Sequence, residues 1–401
     1  MTTAVQFLNG LDTIGGNVVS FTNGATQIIM DLGVNFAPAE NKNDDLMASG
    51  VLPNVPALFT DEQGQFEQQV VFVSHLHLDH MGAFKYLTKP TDVYMSQESI
   101  DLYQTLVDLK VEPAANVKLH VILPEEPVTV GPFTITAFLS DHDAPGALML
   151  RVSDGQHTFV HSGDVRLDGP HPERVEHWTQ VLHAQKIDLF LLEGTEFSFE
   201  PDPQRARHTE ASLQHDFQKT LQTVTGLVII NPYERNVERL VELQNTAKSA
   251  GRTLVWDQRF SRVLQALGAM QVNELERDVT WQKILAEPDK YVVQNHFEQL
   301  HSLDQVADGF TYLHMNGEPL GEYDPRFAEL LAYLESRHVE LQFMGASGHA
   351  APDDLIRLAK AVNAQVTVPW HSFKPEGEAS ALRAAKLQTY LPTKNEILTF
   401  D

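Results

Sequence analysis

Short apolar runs separated by turn residues characterise the start of the chain. The runs in TAVQFLNG and GNVVSFTNG both close on Asn-Gly, and TQIIMDLG follows as a third run. An apolar run closed by Asn-Gly is typical of a strand that ends in a tight turn. The pattern therefore predicts β-structure over the first 35 residues. A Pro- and Asn-containing loop with little regular structure is predicted over residues 36–68.

Strands and helices alternate from residue 70 onward. VVFVS (70–74) has the composition of a buried strand, and MGAFKYLT and QESIDLYQTLVDL have helical spacing. Further strand candidates are VKLHVIL, FTITAFLS, ALMLRVS and HTFVHS. We therefore expect an α/β fold rich in β-structure, with two sheets and helices outside them.

The pattern changes near residue 200. EPDPQRARHTE (200–210) is typical of a polar linker, and the strand LVIINP, a long amphipathic helix and the strand RTLVWD follow it. This β-α-β order predicts a separate domain with a parallel sheet. The expected division is a core in two parts, residues 1–203 and 339–401, with an inserted α/β domain over 204–338.

Composition places the chain among ordinary globular proteins. Hydrophobic residues make up 42% and charged residues 21% of the sequence, and there is no cysteine. Any metal would therefore be bound by His, Asp or Glu. No secretory signal pattern and no transmembrane-length apolar run is visible, so we expect a cytoplasmic protein without a membrane partner.

The net charge of −25, from 54 acidic and 29 basic residues, restricts the partners. Such a surface repels phosphate backbones at long range. A nucleic-acid partner would need a local basic groove or the charge of bound metal ions.

One segment, VVFVSHLHLDHMGAF (70–84), concentrates candidate metal ligands. His75 and His77 are two positions apart after a buried strand, and Asp79 and His80 follow in the turn before a helix. A strand period of two points both histidines to one side, and imidazole and carboxylate are suitable zinc ligands. The spacing favours a metal site over a pair of exposed loop histidines.

The sequence His-x-His-x-Asp-His at positions 75–80 resembles the motif of the metallo-β-lactamase superfamily. The resemblance implies an αββα sandwich with two divalent metal ions, zinc being expected and manganese also acceptable. One ion would take His75, His77 and His142, the other Asp79, His80 and His371, and Asp164 would bridge them. Taken singly, each distant residue also suits a loop or a strand end; their order along the chain favours ligands.

Three later stretches resemble the β-CASP nucleases, and ribonuclease J in particular. LFLLEGTEFS carries Glu193, FMGASGHA carries Ser347, Gly348 and His349, and VPWHSFKPE carries His371. The opening strands also look like those of ribonuclease J. Only residues 372–401 follow His371, so we expect a short form that lacks the family's C-terminal domain. QNHFEQLHSL lacks the Thr-Gly-Ser-Gln-Gly-Glu stretch expected in the insert.

The resemblance implies a role for each residue. Asp79, His349 and Glu193 would be catalytic, with His349 a general acid tuned near neutral pH and Glu193 orienting a metal-bound histidine. Ser347 and Gly348, at a helix N-terminus, would hold a phosphate. The expected function is cleavage of single-stranded RNA by a metal-bridging hydroxide. RNA is thus the expected partner, and a homo-oligomer is left open.

Two other functions remain open at this stage. The same centre suits a small-molecule hydrolase of phosphodiesters, lactones or esters, with the insert acting as a lid. A non-catalytic metal-binding scaffold in an RNA-processing assembly is the third reading. A positive rim at the metals would favour RNA, whereas an enclosed neutral or acidic pocket would favour a small molecule.

Overall fold

The computed structural model describes residues 2–35, 42–200, 208–268, 271–321 and 324–401. The chain divides into two compact units, the first made of Met1–Pro203 and Gly348–Asp401 and the second of Gln204–Ser347. Most of the predicted linker over 200–210 lies outside the described residues. No helix in the described ranges is long and apolar enough to cross a membrane.

The first unit begins with strands and short helices. Its strands up to the insertion are β1 (Thr3–Asn9), β2 (Val18–Asn23), β3 (Thr26–Met30), β4 (Gln68–Phe72), β5 (Thr91–Met95), β6 (Val117–Val121), β7 (Val128–Val130), β8 (Phe133–Leu139), β9 (Leu148–Ser153), β10 (Thr158–His161) and β11 (Leu189–Glu193). Its helices in the same range are α1 (Asn43–Ala48), α2 (Pro56–Phe59), α3 (Leu78–Met81), α4 (Gln97–Asp108) and α5 (Pro172–His183). Two 3₁₀ segments cover Gly82–Tyr86 and Thr195–Ser198.

The second unit is an open α/β layer structure. Its helices are α6 (Glu210–Thr223), α7 (Val237–Ser249), α8 (Gln258–Ala266), α9 (Trp281–Ala286) and α10 (Pro325–Ser336). Its strands are β12 (Val228–Pro232), β13 (Thr253–Trp256), β14 (Asn273–Glu274), β15 (Tyr291–Gln294), β16 (Thr311–Met315) and β17 (Leu341–Phe343). They pair in parallel in the order β14-β13-β15-β12-β16-β17, which is the sheet type that the β-α-β pattern predicted.

The first unit is completed by α11 (Pro352–Val362), β18 (Val366–Trp370), α12 (Pro375–Ala384) and β19 (Ile397–Phe400). One sheet has the order β19-β1-β2-β3-β4-β5-β6 and the other the order β18-β11-β10-β9-β8-β7. Apolar side chains of both sheets, among them Phe21, Phe133, Phe159 and Trp370, form one buried cluster between them.

Helices cover the outer faces of this sandwich. Trp178 of α5, Leu355 of α11 and Leu382 of α12 pack on the six-stranded sheet, and α4 contacts the edge strand β6 of the other. The layers are therefore helix, sheet, sheet, helix, which confirms the expected αββα fold. This arrangement brings the loops after β4, β8, β10 and β18 to one site.

The predicted loop over 36–68 differs from the structure. Residues 36–41 lie outside the described part, but α1 and α2 form within the rest of the stretch. Helices of six and four residues are too short to show a helical period in sequence. α2 begins at Pro56, a residue that the first helical position tolerates because that N–H needs no intrahelical partner.

Candidate metal centre

The loop after β4 and the short helix α3 that follows it carry four of the proposed ligands. His75 and His80 are fully buried, whereas the side chains of His77 and Asp79 keep 14% and 17% exposure. The loop can pass close to β3 because residue 33 is glycine. A Cβ there would lie 1.6 Å from the carbonyl oxygen of Asp79. No side chain larger than hydrogen fits at this contact, so Gly33 sets the position of the cluster.

The structure brings all seven proposed ligands together in two groups whose donor atoms lie within 4.8 Å of one another. The first group is His75, His77, His142 and Asp164; the second is Asp79, His80, Asp164 and His371. Asp164 belongs to both groups. Its Oδ2 lies 3.3–3.7 Å from the Nε2 atoms of four histidines, namely His80, His75, His142 and His371.

Several buried donor atoms of the cluster lack a hydrogen bond within the described residues. Among the described residues, Nε2 of His75 and both carboxylate oxygens of Asp164 are buried and accept or donate no hydrogen bond. Burying such polar atoms costs free energy of folding unless a further group binds them. A cluster of imidazole nitrogens around a shared carboxylate is a donor set that suits divalent ions of the zinc and manganese type.

Burial also adjusts the protonation of the cluster. It lowers the pKa of His142 to about 3 and holds the pKa of His75 well below its usual value, so both rings are neutral and offer a lone pair. Burial opposes the charge on Asp164, but the surrounding histidines, His371 first, bring its pKa well below normal. His80 differs: burial lowers its pKa, yet Asp164 and Asp31 outweigh burial and raise it.

The far nitrogen of each buried ligand histidine is held by another group. Nδ1 of His371 lies 2.6 Å from the Thr195 hydroxyl, and Nδ1 of His142 donates to the carbonyl of Gly348 at 2.5 Å. Such contacts set the tautomer and orientation of a ligating ring. The ligand nitrogen is therefore aimed at the cluster before any ion binds.

Asp31 holds His80, and sequence reasoning missed it. Its Oδ2 lies 2.8 Å from Nδ1 of His80, and its two oxygens also accept from the amide and hydroxyl of Ser74. Asp31 has φ of +59°, a conformation that Asp tolerates better than most residues. An aspartate at the end of the apolar run TQIIM, just before Leu-Gly, was the available signal.

A second acidic contact lies beside the cluster. Glu193 is fully buried at the end of β11, with Oε2 accepting from the amide of Thr195 and Oε1 3.5 Å from Nδ1 of His349. Burial lowers the pKa of His349, but Glu193 and Asp164 outweigh it and raise it to about 10, above the neutral range expected. Cations bound in the cluster would lower that pKa again. The histidine that faces Glu193 is thus the proposed general acid.

The Ser-Gly-His segment lies before a helix rather than at its first turn. α11 begins at Pro352 with Ala351 at its N-cap, so Ser347 and Gly348 precede the cap. A Cβ on Gly348 would lie 2.4 Å from Oδ1 of Asp143 and 2.8 Å from Cε1 of His142, so any larger residue would displace these side chains. The carbonyl of Gly348 accepts a hydrogen bond from His142. The preceding residue, Ser347, is the last residue of the second unit.

A buried ion pair joins the loops that carry His142 and Asp164. Nε of Arg166 donates to Oδ1 of Asp141 at 2.9 Å, and both side chains are 1% exposed. The amide of His171 donates to the other oxygen of Asp141. Arg166 is therefore part of the protein interior, which its polar sequence context did not indicate.

Comparison with known proteins gives one family match and several relatives. A model described as a beta-lactamase superfamily domain matches residues 56–227. Ribonuclease J of Thermus thermophilus is 23% identical, over 91% of this chain and 67% of its own length. Ribonuclease J of Mycoplasma genitalium is 24% identical over 63% of this chain, and the match spans only 43% of that protein. A crystal structure of a protein of unknown function from Enterococcus faecalis V583 is similar over the whole of both chains, with a TM-score of 0.86 and 24% identity.

The match to the beta-lactamase superfamily domain is thus confined to residues 56–227, which include the segment of His75 to His80. The chain's sequence similarity to ribonuclease J, at 22–26% identity, includes relatives that match it over more than nine-tenths of its length.

Proposed function

We propose that this protein is a metal-dependent phosphodiesterase that cleaves single-stranded RNA, as the name of its ribonuclease J relatives indicates for them. The observation that carries the proposal is the pair of ligand groups that share Asp164. A centre of this kind serves hydrolysis, and its two halves suit the attacking and leaving oxygens of a phosphodiester.

The proposed ligands divide as the two groups do. His75, His77 and His142 would hold one ion and Asp79, His80 and His371 the other, with Asp164 shared. When bound, two such ions supply an acidified water and neutralise charge on the phosphate. Zinc is proposed and manganese is an alternative, because His/Asp sites accept both.

His349 is the proposed proton donor to the leaving oxygen. Its Nδ1 lies 3.5 Å from Glu193 and 3.9 Å from Asp164, and Nε2 is the nitrogen to which we assign the proton transfer. Glu193 keeps the ring oriented and charged, which is what a general acid needs before it releases a proton. Ser347 and the backbone at Gly348, next to His349 in the chain, are proposed to hold a phosphate oxygen.

The net charge of −25 supports a second candidate, a small-molecule hydrolase that uses the same centre. The negative charge of the protein repels a small phosphodiester, lactone or ester less than it repels a polyanion. The chemistry proposed for His349 and the metal ligands is the same for either substrate, so the substrate must be tested directly.

The test is a substrate panel with the metal-loaded protein. Wild type and His77→Ala are incubated with 5′-labelled single-stranded RNA, bis(p-nitrophenyl) phosphate and a generic ester, with Zn²⁺ or Mn²⁺. We expect RNA cleavage by wild type and its loss in His77→Ala. Turnover of the diester or the ester without any RNA cleavage would reject the ribonuclease proposal in favour of the small-molecule one.

A further inference from the structure

Two exposed phenylalanines follow the strands β11 and β18, which lead to the proposed metal centre. Phe199 and Phe373 are 56% and 54% exposed, and among the described residues neither ring has an aromatic or cationic partner. We refer to this pair as the aromatic rim. Exposed aromatic rings next to a site are candidates for substrate contact.

The two residues are brought to the same edge by adjacent strands. β11 and β18 run parallel, with Glu193 opposite Trp370, so the chain leaves both strands at one end of the sheet. Phe199 follows the 3₁₀ segment after β11, and Phe373 is two residues beyond the proposed ligand His371.

Hydrogen bonds fix the backbone below the aromatic rim. The hydroxyls of Ser198 and Ser372, both buried, lie 3.0 Å apart, and the amide of Phe373 donates to Ser198 Oγ at 2.8 Å. Thr195, three residues before Ser198, holds His371. The segment that carries the rings is therefore connected directly to the segment that carries a proposed ligand.

The neighbouring charges do not attract an anion by themselves. Lys374 lies 2.9 Å from Glu200, so the cation next to Phe373 already has an acidic partner in the chain. With an overall charge of −25, binding of a nucleotide chain gains from attraction that does not depend on a basic surface. Stacking of bases on aromatic rings provides this, because every base has an apolar face.

We propose that the aromatic rim of Phe199 and Phe373 binds a nucleobase of the substrate next to the cleaved phosphodiester. This inference rests on the proposed ribonuclease function for the identity of its ligand. It assigns these two residues to substrate positioning, without a chemical role.

The test measures binding of a cleavage-resistant single-stranded oligoribonucleotide with one 2-aminopurine, alongside the same oligonucleotide with abasic positions. Phe199→Ala and Phe373→Ala should each weaken binding of the base-containing probe about tenfold. Phe199→Trp and Phe373→Trp should keep it, and no variant should change binding of the abasic probe. Ile397→Ala, also 54% exposed but on the opposite sheet's edge strand, is the matched control and should bind like wild type.

The possible results separate this inference from the proposed function. Wild-type binding by both alanine variants, or equal losses for the abasic probe, would overturn the aromatic rim as a base site even if RNA is cleaved. Absence of RNA cleavage by wild type would overturn the ribonuclease proposal, while a base-dependent loss in the alanine variants would still support the aromatic rim. If the alanine variants change only the KM of an apolar ester, the occupant is an acyl group and the nucleobase assignment is wrong.

Discussion

The hydroxyl of Thr195 lies 2.6 Å from Nδ1 of His371 and 3.3 Å from the carbonyl oxygen of the same residue. When the hydroxyl donates to that carbonyl, it accepts the Nδ1 proton of the ring. Nε2 then carries the lone pair, and it lies 2.9 Å from Oδ2 of Asp79 in the ligand cluster. A single buried threonine thus favours the tautomer that a metal-binding Nε2 needs in this proposed ligand.

Replacing this hydroxyl should weaken metal binding. Thr195→Val keeps the shape of the side chain but leaves Nδ1 of His371 without its partner, so we expect a loss of about 10- to 100-fold in metal affinity. Thr195→Ser should keep most of the affinity. Competition with a chromophoric chelator measures both. Thr179→Val is the control, because that hydroxyl bonds only within its own helix; equal affinities for Thr195→Val and the control would contradict the role of Thr195.

Removing one partner of the buried ion pair of Arg166 and Asp141 should destabilise the protein strongly. Arg166→Met leaves a buried carboxylate without its cation, and we expect the free energy of unfolding to fall by about 3 kcal/mol. Arg357→Met removes an ion pair to Asp354 in which the arginine is 67% exposed, and it should cost under about 1 kcal/mol. Urea unfolding of both variants tests the comparison. Similar losses in the two would show that burial does not decide the contribution.

The buried carboxyl group of Glu378 should make the free energy of unfolding decrease as the pH rises. Its carboxyl is fully buried, makes no hydrogen bond within the described part of the chain and lies so close to Gly194 that a Cβ there would be 2.0 Å away. Burial, and then the charge of Glu193, raise the pKa of Glu378 well above its usual 4.5. Above pH 4.5 the unfolded chain loses this proton while the folded protein keeps it, which favours unfolding with increasing pH.

Glu378→Gln replaces the titratable carboxyl group with a neutral amide and should make the protein more stable than wild type at neutral pH. The two should have similar stability below about pH 4.5, and the difference should grow by at most about 1.4 kcal/mol per pH unit above it. Unfolding curves between pH 4 and 8 measure the difference. Glu376→Gln, exposed on the same helix, should show no such trend. A difference that is constant with pH would contradict a protonated Glu378.

His349 should matter most for substrates whose leaving oxygen needs a proton. His349→Ala should slow RNA cleavage by about 10²- to 10⁴-fold, the usual contribution of a general acid. Cleavage of bis(p-nitrophenyl) phosphate should change far less, since p-nitrophenolate leaves without a proton. His120→Ala, which removes a half-exposed histidine paired with Asp92, is the control. An equal loss on both substrates would mean that His349 supports the site in another way.

Local patterns were sufficient for much of the fold. The Asn23-Gly24 turn closes β2 onto β3, with Asn23 opposite Thr26, as the Asn-Gly signal predicted. The parallel sheet of the second unit also follows from its β-α-β order. In contrast, α1 and α2 were not predicted, because so few residues cannot show a helical period.

Contacts between distant positions limited the prediction of the site. His75 to His80 are close in sequence, so their spacing is visible, whereas Asp31 meets His80 across 49 positions and Thr195 meets His371 across 176. Only the fold brings such partners together. Glu378 illustrates the same limit, because an acidic residue in the first turn of a helix normally faces solvent, and here it is buried.

Titration of the metal-free protein with Zn²⁺ or Mn²⁺ tests the dinuclear centre most directly. Bound metal and the rate of single-stranded RNA cleavage are followed in the same samples, with wild type and Asp164→Ala compared. We predict that wild type binds two ions per chain, that cleavage rises with the second ion, and that Asp164→Ala loses both the second ion and cleavage. Full RNA cleavage with one ion or none, or in Asp164→Ala, would contradict the account.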